Sequence, residues 1–379
     1  MRVLIVGAGL AGPCLAHGLR RHGHDVRLFE RDPAVDARAQ GYRIHINGDG
    51  DAALRRWLPA EAYEQAVATS CVATGGVSTT DAGLREFHEV ELPPNAAGIT
   101  VDRLTLRRIM LRDLMDATRF GAGFSRYELL DDGTVRVSLT DGSTAEGDLL
   151  VATDGANSGV RRQLLPGFPV TVQGARLVYG RTPLTARARE LTPPPALDGF
   201  VGVAGPDGRQ LALAAQRFRR NPADFGLPPA DDYVMWGLTA PAGDYGPGFF
   251  GLGATELLEL AAETVADWHP SLSALIRLGD PGHTVPASIQ TSERPGLWPP
   301  VPVTLVGDAA HPMPPAGISA GAAIHDAGLL ASRLLPGAPL LDAVRAYERE
   351  MLDHGFDAVA ASTRNHAGDR QGNGLRARA

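Results

Sequence analysis

The 379-residue chain contains no lysine, so all 36 of its fixed cationic side chains are arginines. A lysine nucleophile and a lysine Schiff base are thereby excluded, and every fixed cation is a planar guanidinium suited to carboxylate or phosphate. Cysteine is nearly as scarce. Cys14 and Cys71 are the only two; they form neither a disulfide framework nor a metal-spaced cluster, which fits a reducing cytoplasm. No apolar run approaches the ~18 residues that a bilayer span requires. Met1 to Gly12 is apolar but lacks a basic start and is broken by glycines, so it reads as a strand and not as a signal peptide. Basic clusters interleaved with aromatics are also missing, and a net charge of -7 argues against a nucleic-acid partner. The expectation is a soluble cytoplasmic protein with no metal site and no membrane partner. With 44% hydrophobic residues over this length, it can bury a large core and divide into two domains.

What the chain does have is a distinctive turn near each end. Arg2 to Val6 is an apolar, β-branched run that predicts a buried parallel strand, and it leads directly into Gly7-Ala8-Gly9-Leu10-Ala11-Gly12. In such a loop Gly7 makes the tight turn, Gly9 lets backbone N–H groups approach a pyrophosphate, and Gly12 lets the next helix pack closely on the strand. Pro13 falls in the first helical turn, where a missing N–H costs nothing. A second predicted strand, Val26 to Phe29, ends at Glu30, placed to accept both hydroxyls of an adenosine ribose. Together these predict a dinucleotide site without deciding between FAD and NAD.

The distal turn suits a flavin. Val303 to Val306 predicts another buried strand, closed by Gly307-Asp308-Ala309-Ala310-His311-Pro312, and a small-residue helix is expected from Ser319 to Leu335. Asp308 can accept a ribityl hydroxyl, while the positive helix N-terminus points at the pyrimidine end of the ring, where reduced flavin carries negative charge. His311 reads either as a hydrogen-bonder of the loop or as an acid–base candidate.

On these residues the chain resembles the class A, single-component FAD-dependent monooxygenases of the aromatic hydroxylase type. It is similar in particular to the tetracycline-inactivating monooxygenases and to actinobacterial tailoring oxygenases. Two further segments carry the resemblance: Asp148 to Arg161, with Thr153-Asp154-Gly155, is similar to the family's Asp-Gly motif, and Asp102 to Leu111 to the helix whose leading arginine contacts FAD. The segment Glu30 to Gly41 also matches without a gap. The resemblance implies FAD as cofactor, NADPH or NADH as transient electron donor, and O2 and a small molecule as the other partners, with oxygen transfer from a flavin C4a-hydroperoxide. It implies that Gly7, Gly9, Leu10, Ala11 and Gly12 line the pyrophosphate and that Glu30, Arg103, Asp154, Asp308 and Gly317 contact FAD. His45 would lie against the flavin and Arg38 would recognise NADPH; Arg31 joins Arg38 as a cofactor candidate because a guanidinium can bind a phosphate bidentately. The chain departs from the family's Gly-x-Gly-x-Asn run: Ser319 stands for a glycine, Gly321 for the Asn, and the segment is one residue short. These changes are expected to alter ring placement. No second glycine fingerprint for a pyridine nucleotide is present, and the lysine and paired tryptophans of flavin halogenases are missing.

The expected fold class is α/β. A Rossmann-like FAD-binding domain (residues 1–70, 98–166 and 283–335) interleaves with an antiparallel-sheet substrate domain (71–97 and 167–282). A C-terminal helix (336–364) and a flexible polar tail (365–379) follow. Runs at Thr171 to Arg181, Gly199 to Ala204, Gln210 to Phe218 and Tyr233 to Thr239, separated by Gly/Pro turns, predict the sheet. A stripe of Leu341, Val344, Tyr347, Met351, Leu352 and Val359 predicts the helix. Arg43, His45 and His311 are the catalytic candidates, and Tyr179, Arg181, Trp236 and Pro315 the candidates for the substrate pocket. The favoured function is oxygenation of a phenolic or polyketide-like molecule in secondary metabolism, such as antibiotic biosynthesis or inactivation. A flavin reductase without oxygen insertion and a non-catalytic flavin-binding redox module remain open, and no motif speaks to substrate identity, to hydroxylation against epoxidation, or to oligomeric state.

Overall fold

Because Arg2–Val6 (β1) is apolar at four consecutive positions, it belongs where both faces are covered, and it occupies the middle of a five-stranded sheet. The order is β17-β11-β1-β2-β7, with β2 at Asp25–Phe29, β7 at Thr118–Arg119, β11 at Leu149–Ala152 and β17 at Val303–Leu305. Every pairing in it is parallel. The computed structural model describes residues 1–38, 42–72, 75–92 and 96–371; the last three residues of the Glu30 to Gly41 segment therefore lie outside the described residues. Helices α1 (Ala11–Arg21), α2 (Gly48–Trp57) and α7 (Ser319–Arg333) touch one another through glycines. A Cβ at Gly18 would stand 2.6 Å from that of Ala331, and one at Gly328 would stand 2.9 Å from that of Ala53. A small meander of β8 (Phe124–Leu129), β9 (Val135–Leu139) and β10 (Thr144–Gly147) shares this core.

The second layer is a seven-stranded sheet ordered β16-β12-β15-β14-β13-β4-β5. Its strands are β4 (Val77–Asp81), β5 (His88–Val90), β12 (Val170–Pro183), β13 (Phe200–Ala204), β14 (Gln210–Gln216), β15 (Tyr233–Pro241) and β16 (Val285–Ser292). Two features correct the expectation. β4 pairs parallel with β13, so the sheet is mixed; the two strands are far apart in sequence and no hairpin forces them antiparallel. β16, assigned above to the nucleotide domain, pairs antiparallel with β12, whose 14 residues serve β15 on one edge and β16 on the other.

Strand alternation then sorts the side chains. Val178, Leu211, Leu213, Val234, Trp236 and Leu238 go behind the sheet, into a core shared with α5 (Ala254–Thr264) and α6 (Pro270–Arg277). Leu177, Tyr179, Ala214, Tyr233 and Met235 take the front, where Tyr42, Phe200 and Phe218 join them. Trp236 is thereby excluded from the substrate pocket: it is fully buried behind the sheet and its Nε1 donates to Thr182 Oγ1 at 3.2 Å. Between the layers runs a ribbon of β3 (Arg43–Asn47) and β6 (Gly98–Asp102), from which α3 (Arg103–Leu111) starts. The remaining helices used below are α4 (Gly159–Leu164) and α8 (Leu340–Gln371).

α8 extends seven residues beyond the boundary drawn from sequence, so the start of the expected tail is helical; residues 372–379 lie outside the described residues. It packs on the nucleotide domain through Val344, Tyr347, Met351, Leu352 and Val359, whereas Leu341, in its first turn, is exposed. Tyr347 Oη donates to Leu305 O at 2.8 Å and Ser362 Oγ to Pro314 O at 2.5 Å.

Glu348 of α8 is buried against β17. Its carboxylate accepts Thr304 Oγ1 at 3.1 Å and lies 3.3 Å from Arg345, yet burial pushes its pKa up to about 7. Because the folded value is raised, the group's contribution to stability is complete below the ordinary glutamate range and is lost as pH rises through about 7. The ionised form should cost on the order of 3 kcal/mol at pH 8. Glu348→Gln is therefore expected to raise the thermal midpoint by several degrees at pH 8 and hardly at all at pH 5. Equal shifts at both pH values would assign the effect to packing instead.

Candidate functional site

The glycine loop after β1 is shaped by contacts that tolerate no side chain. Gly7 turns with φ of +106°, its N–H donates to Phe29 O at 2.7 Å, and a Cβ there would lie 2.3 Å from Thr153 O. At Gly12 a Cβ would lie 2.1 Å from Gly7 O. Gly9 differs, because its Cβ would meet only Arg103 Nη2 at 3.7 Å. The protein does not need glycine there, and the bare backbone leaves room for a phosphate to approach. Leu10 and Ala11 begin α1, which has no side-chain cap, and α7 likewise starts uncapped. By contrast α2, α3 and α4 are capped by Asn47, Asp102 and Ser158. The two helix starts that the sequence aimed at a cofactor thus both keep N–H groups that no side chain occupies, as does the start of α5.

A buried guanidinium locks this loop, and the sequence reading overlooked it. Arg107 of α3 donates to Ala8 O at 2.6 Å, to Val35 O at 2.8 Å and to Glu30 Oε2 at 3.0 Å. Glu30 Oε2 also accepts Ala8 N–H at 2.9 Å, and Oε1 accepts Asp32 N–H at 3.0 Å. Three of the roughly four acceptor positions of this carboxylate are therefore filled. Glu30 has room for one further donor and not for the two expected of it. Burial lowers the Arg107 pKa, with Glu30 opposing. The only available signal was spacing, since Arg107 follows Arg103 by one helical turn and shares its face.

Two carboxylate oxygens face the same region with their hydrogen bonds unmade. Asp154 Oδ2 accepts Gly159 N–H at 2.9 Å, but Oδ1 is buried without a partner; Asp308 Oδ1 is buried and unpartnered as well. Burial raises both pKa values. Unmet buried acceptors are costly, so their presence at the mouth of the glycine loop marks a place for ligand hydroxyls or amides. Arg161 joins the two motifs, donating to Ala156 O at 2.5 Å, Ala309 O at 2.8 Å and Asp308 O at 3.2 Å. Thr153 Oγ1 donates to Gly7 O at 2.6 Å, so the Asp-Gly turn packs on the first loop. Pro315 and Gly317, the latter at φ of +74°, lie exposed ahead of α7. The departure at Gly321 has a local cause: a Cβ there would stand 2.1 Å from Asn47 Oδ1, the atom that caps α2.

The catalytic candidates are more constrained than the sequence suggested. His311 is fully buried, with Nε2 2.7 Å from Asp326 Oδ2, and belongs to the support of the loop. His45 has both nitrogens engaged, Nε2 to Ala96 O at 2.8 Å and Nδ1 to Thr100 Oγ1 at 3.2 Å, and burial lowers its pKa. Arg43 keeps a buried Nε without a partner. On the front of the sheet Tyr179 stacks on Tyr42 at 5.3 Å and 7°, and the Arg103 guanidinium lies 5.9 Å from the Tyr42 ring. Arg181 stands 5.2 Å over the Tyr233 ring, whose hydroxyl donates to Asp102 Oδ2 at 2.9 Å. Gln216, cross-strand partner of Tyr233, is fully buried with neither amide atom bonded. Nothing in its sequence context marks it. Arg31 and Arg38 lie at the surface, where Arg38 pairs with Asp32 at 2.7 Å. Among the described residues no group of three or more His, Cys, Asp or Glu could hold a metal ion, and no helix is long and apolar enough to cross a membrane.

Comparison with known proteins agrees with this geometry. The family described as NAD(P)-binding Rossmann-like domain matches residues 5–62. The dual O-methyltransferase/FAD-dependent monooxygenase elcB of Phaeosphaeria nodorum is 34% identical over 377 residues, covering 86% of this chain and 39% of that protein. The chain thus spans well under half the length of that relative. A crystal structure from Photorhabdus luminescens, assigned as an FAD-containing monooxygenase, superposes with a TM-score of 0.86 at 28% identity, covering 99% of this chain and 100% of that one. Klebsiella pneumoniae HpxO, solved with FAD and uric acid, shares the fold at a TM-score of 0.80 and 23% identity over 98% of this chain and 90% of its own.

Removing Arg107 should expose how much of the loop it carries. Arg107→Met leaves Glu30 buried and unpaired, and denaturant titration is expected to show a loss of about 3–5 kcal/mol. The double variant with Glu30→Gln should recover part of that loss, whereas Arg38→Ala, which breaks an exposed pair, should stay within about 1 kcal/mol of the parent.

Proposed function

We propose, for a chain that belongs to the FAD-dependent monooxygenase family, that it is an NAD(P)H-consuming oxygenase of phenolic or polyketide-like small molecules. The observation that carries this reading is the pair of orphaned buried oxygens, Asp154 Oδ1 and Asp308 Oδ1, set beside two uncapped helix starts and a bare Gly9. Those groups fit FAD. Gly9, Leu10 and Ala11 would present N–H groups to the pyrophosphate with Arg103 as counter-charge, and Glu30 would hold a ribose hydroxyl. Asp308 would accept from the ribityl chain, and the start of α7 would face the pyrimidine edge. Bound FAD would supply the redox chemistry, taking a hydride from NAD(P)H and sending one atom of O2 to the substrate and the other to water.

The chain's own work is then to bind, orient and exclude water. The front of the seven-stranded sheet is suited to a flat aromatic molecule, since Tyr42, Tyr179, Phe200, Phe218 and Met235 give it apolar and ring surfaces. Gln216 and the Arg43 Nε provide unspent hydrogen-bonding groups in that surface, a donor and acceptor from the amide and a donor from the guanidine. Arg31 and Arg38 stand at the outer rim, where Arg38 can exchange Asp32 for a phosphate of NADPH.

The purified chain should be yellow, bleach anaerobically with NADPH, and, given 18O2 and a phenolic panel, place one labelled atom in the product. Reduction without label in any product would support the reductase alternative, and a chain that takes up no FAD would overturn the reading. Asp308→Ala should weaken FAD retention at least about tenfold, the scale of a buried charged hydrogen bond; full occupancy in that variant would remove Asp308 from the cofactor site. Gln216→Leu should raise KM for the accepted substrate with kcat nearly unchanged if the amide holds substrate uniformly.

A further inference from the structure

The turn that presents Asp308 is closed by its own backbone, Ala310 N–H to Gly307 O at 2.7 Å and His311 N–H to Gly307 O at 2.9 Å, and is tied from outside by a side chain. Gly307 adopts a φ of +63°, a Cβ there would stand 2.6 Å from that of Ala323, and its N–H donates at 2.8 Å to a side chain, Asp326 Oδ2 of α7. The same oxygen accepts His311 Nε2 at 2.7 Å, which leaves His311 Nδ1 buried and unpartnered. Asp326 is completely buried, and an ionised carboxylate there is tolerated only with opposite charge against it. Two histidines stand against it. His311 hydrogen-bonds Oδ2, and His354, from the C-terminal helix α8, brings its Nε2 to within 3.1 Å of Oδ1, a close polar contact that does not reach hydrogen-bond geometry.

We propose that His354 is a positioning residue for the flavin-binding turn: by giving Asp326 Oδ1 a polar partner from α8, it keeps Gly307, and so Asp308, in the cofactor-accepting conformation. The inference rests on the reading of Asp308 as a flavin contact. The surroundings of Asp326 support it from each element packed there. His325, on the same helix, sets its ring edge-on to His354 at 4.8 Å and orients it. Gly355 lets α8 come close, since a Cβ there would lie 2.5 Å from His311 Cδ2, and Phe356 meets the His311 ring edge-on at 6.4 Å. Tyr347 of α8 and Asp308 itself are other titratable groups that feel Asp326: burial raises the pKa of both, and the Asp326 charge adds to the rise. Burial opposes ionisation of Asp326, but the two histidines outweigh it and hold the carboxyl below the usual range. The C-terminal helix therefore takes part in the site although it supplies no group to the cofactor.

The test compares the full-length parent with His354→Leu and His354→Phe, which lack the N–H, and with His354→Gln, which keeps a neutral donor. Two quantities are measured: amide hydrogen exchange across residues 307–311 in flavin-free protein, and the FAD dissociation constant from quenching of flavin fluorescence. Leu and Phe are expected to speed exchange about tenfold and weaken FAD by a similar factor, as removing a polar partner from a buried carboxylate predicts, with Gln close to the parent in both. If either donor-less variant fails to fold, the other carries the comparison. Unchanged exchange and affinity in the donor-less variants, or a Gln variant as impaired as they are, would overturn the proposal. A parent that takes up no FAD would defeat the functional reading, and the exchange data would still decide whether His354 holds the turn.

Discussion

The site depends on one close approach of backbone to backbone, Gly7 against Thr153. No Cβ fits between them, and Thr153 Oγ1 donates back to both Val6 O and Gly7 O. That contact joins the end of β1 to the end of β11. Since β11 also pairs with β17, the Asp308 turn is carried to the same sheet edge. Parallel strands place their C-terminal ends together, so three motifs separated by up to three hundred residues meet at one end of the sheet. Replacing either small residue with a bulky one would shift every group aimed at the cofactor at once.

Arginine chemistry does much of the remaining organisation. Buried Arg107 binds the glycine loop to α3, and buried Arg161 binds the Asp-Gly turn to the Asp308 turn. Each makes three directed bonds to carbonyl or carboxylate oxygens, which a single ammonium on a flexible stem could not fix in the same plane. In a chain without lysine these guanidiniums act as rigid cross-links as much as charges. They also leave Asp154 Oδ1 and Asp308 Oδ1 unsatisfied, so these two oxygens stay free while the turns that carry them are cross-linked. That division is what a preformed site requires.

The substrate side follows a different rule, the parity of strands. β12 and β15 each send alternate residues to opposite faces, so Tyr179 and Met235 look toward the nucleotide domain while Val178 and Trp236 support the sheet from behind. A shift of one register would exchange those roles entirely. The ribbon of β3 and β6 brings Tyr42 onto Tyr179 and Asp102 onto Tyr233, tying the aromatic face to the helix that carries Arg103 and Arg107.

Local chemistry was enough to read the nucleotide half from sequence. Gly7, Gly12, Glu30 and the Asp308 turn are legible because strand, loop and helix each have a short-range signature and only glycine satisfies the backbone. The same holds for Cys14, whose place on α1 implied the burial that pushes its thiol up to about 12. Tertiary structure alone decided the rest. Which face of β15 each side chain takes depends on register, so Trp236 could not be sorted from Met235 in advance. Gln216 and the bracketing of Asp326 by His311 and His354 are long-range coincidences of charge and burial with no local pattern to announce them, and Arg107 had only its helical spacing from Arg103. A side chain's role there is set by what lies across the core from it, which is a property of the fold and not of its neighbours in the chain.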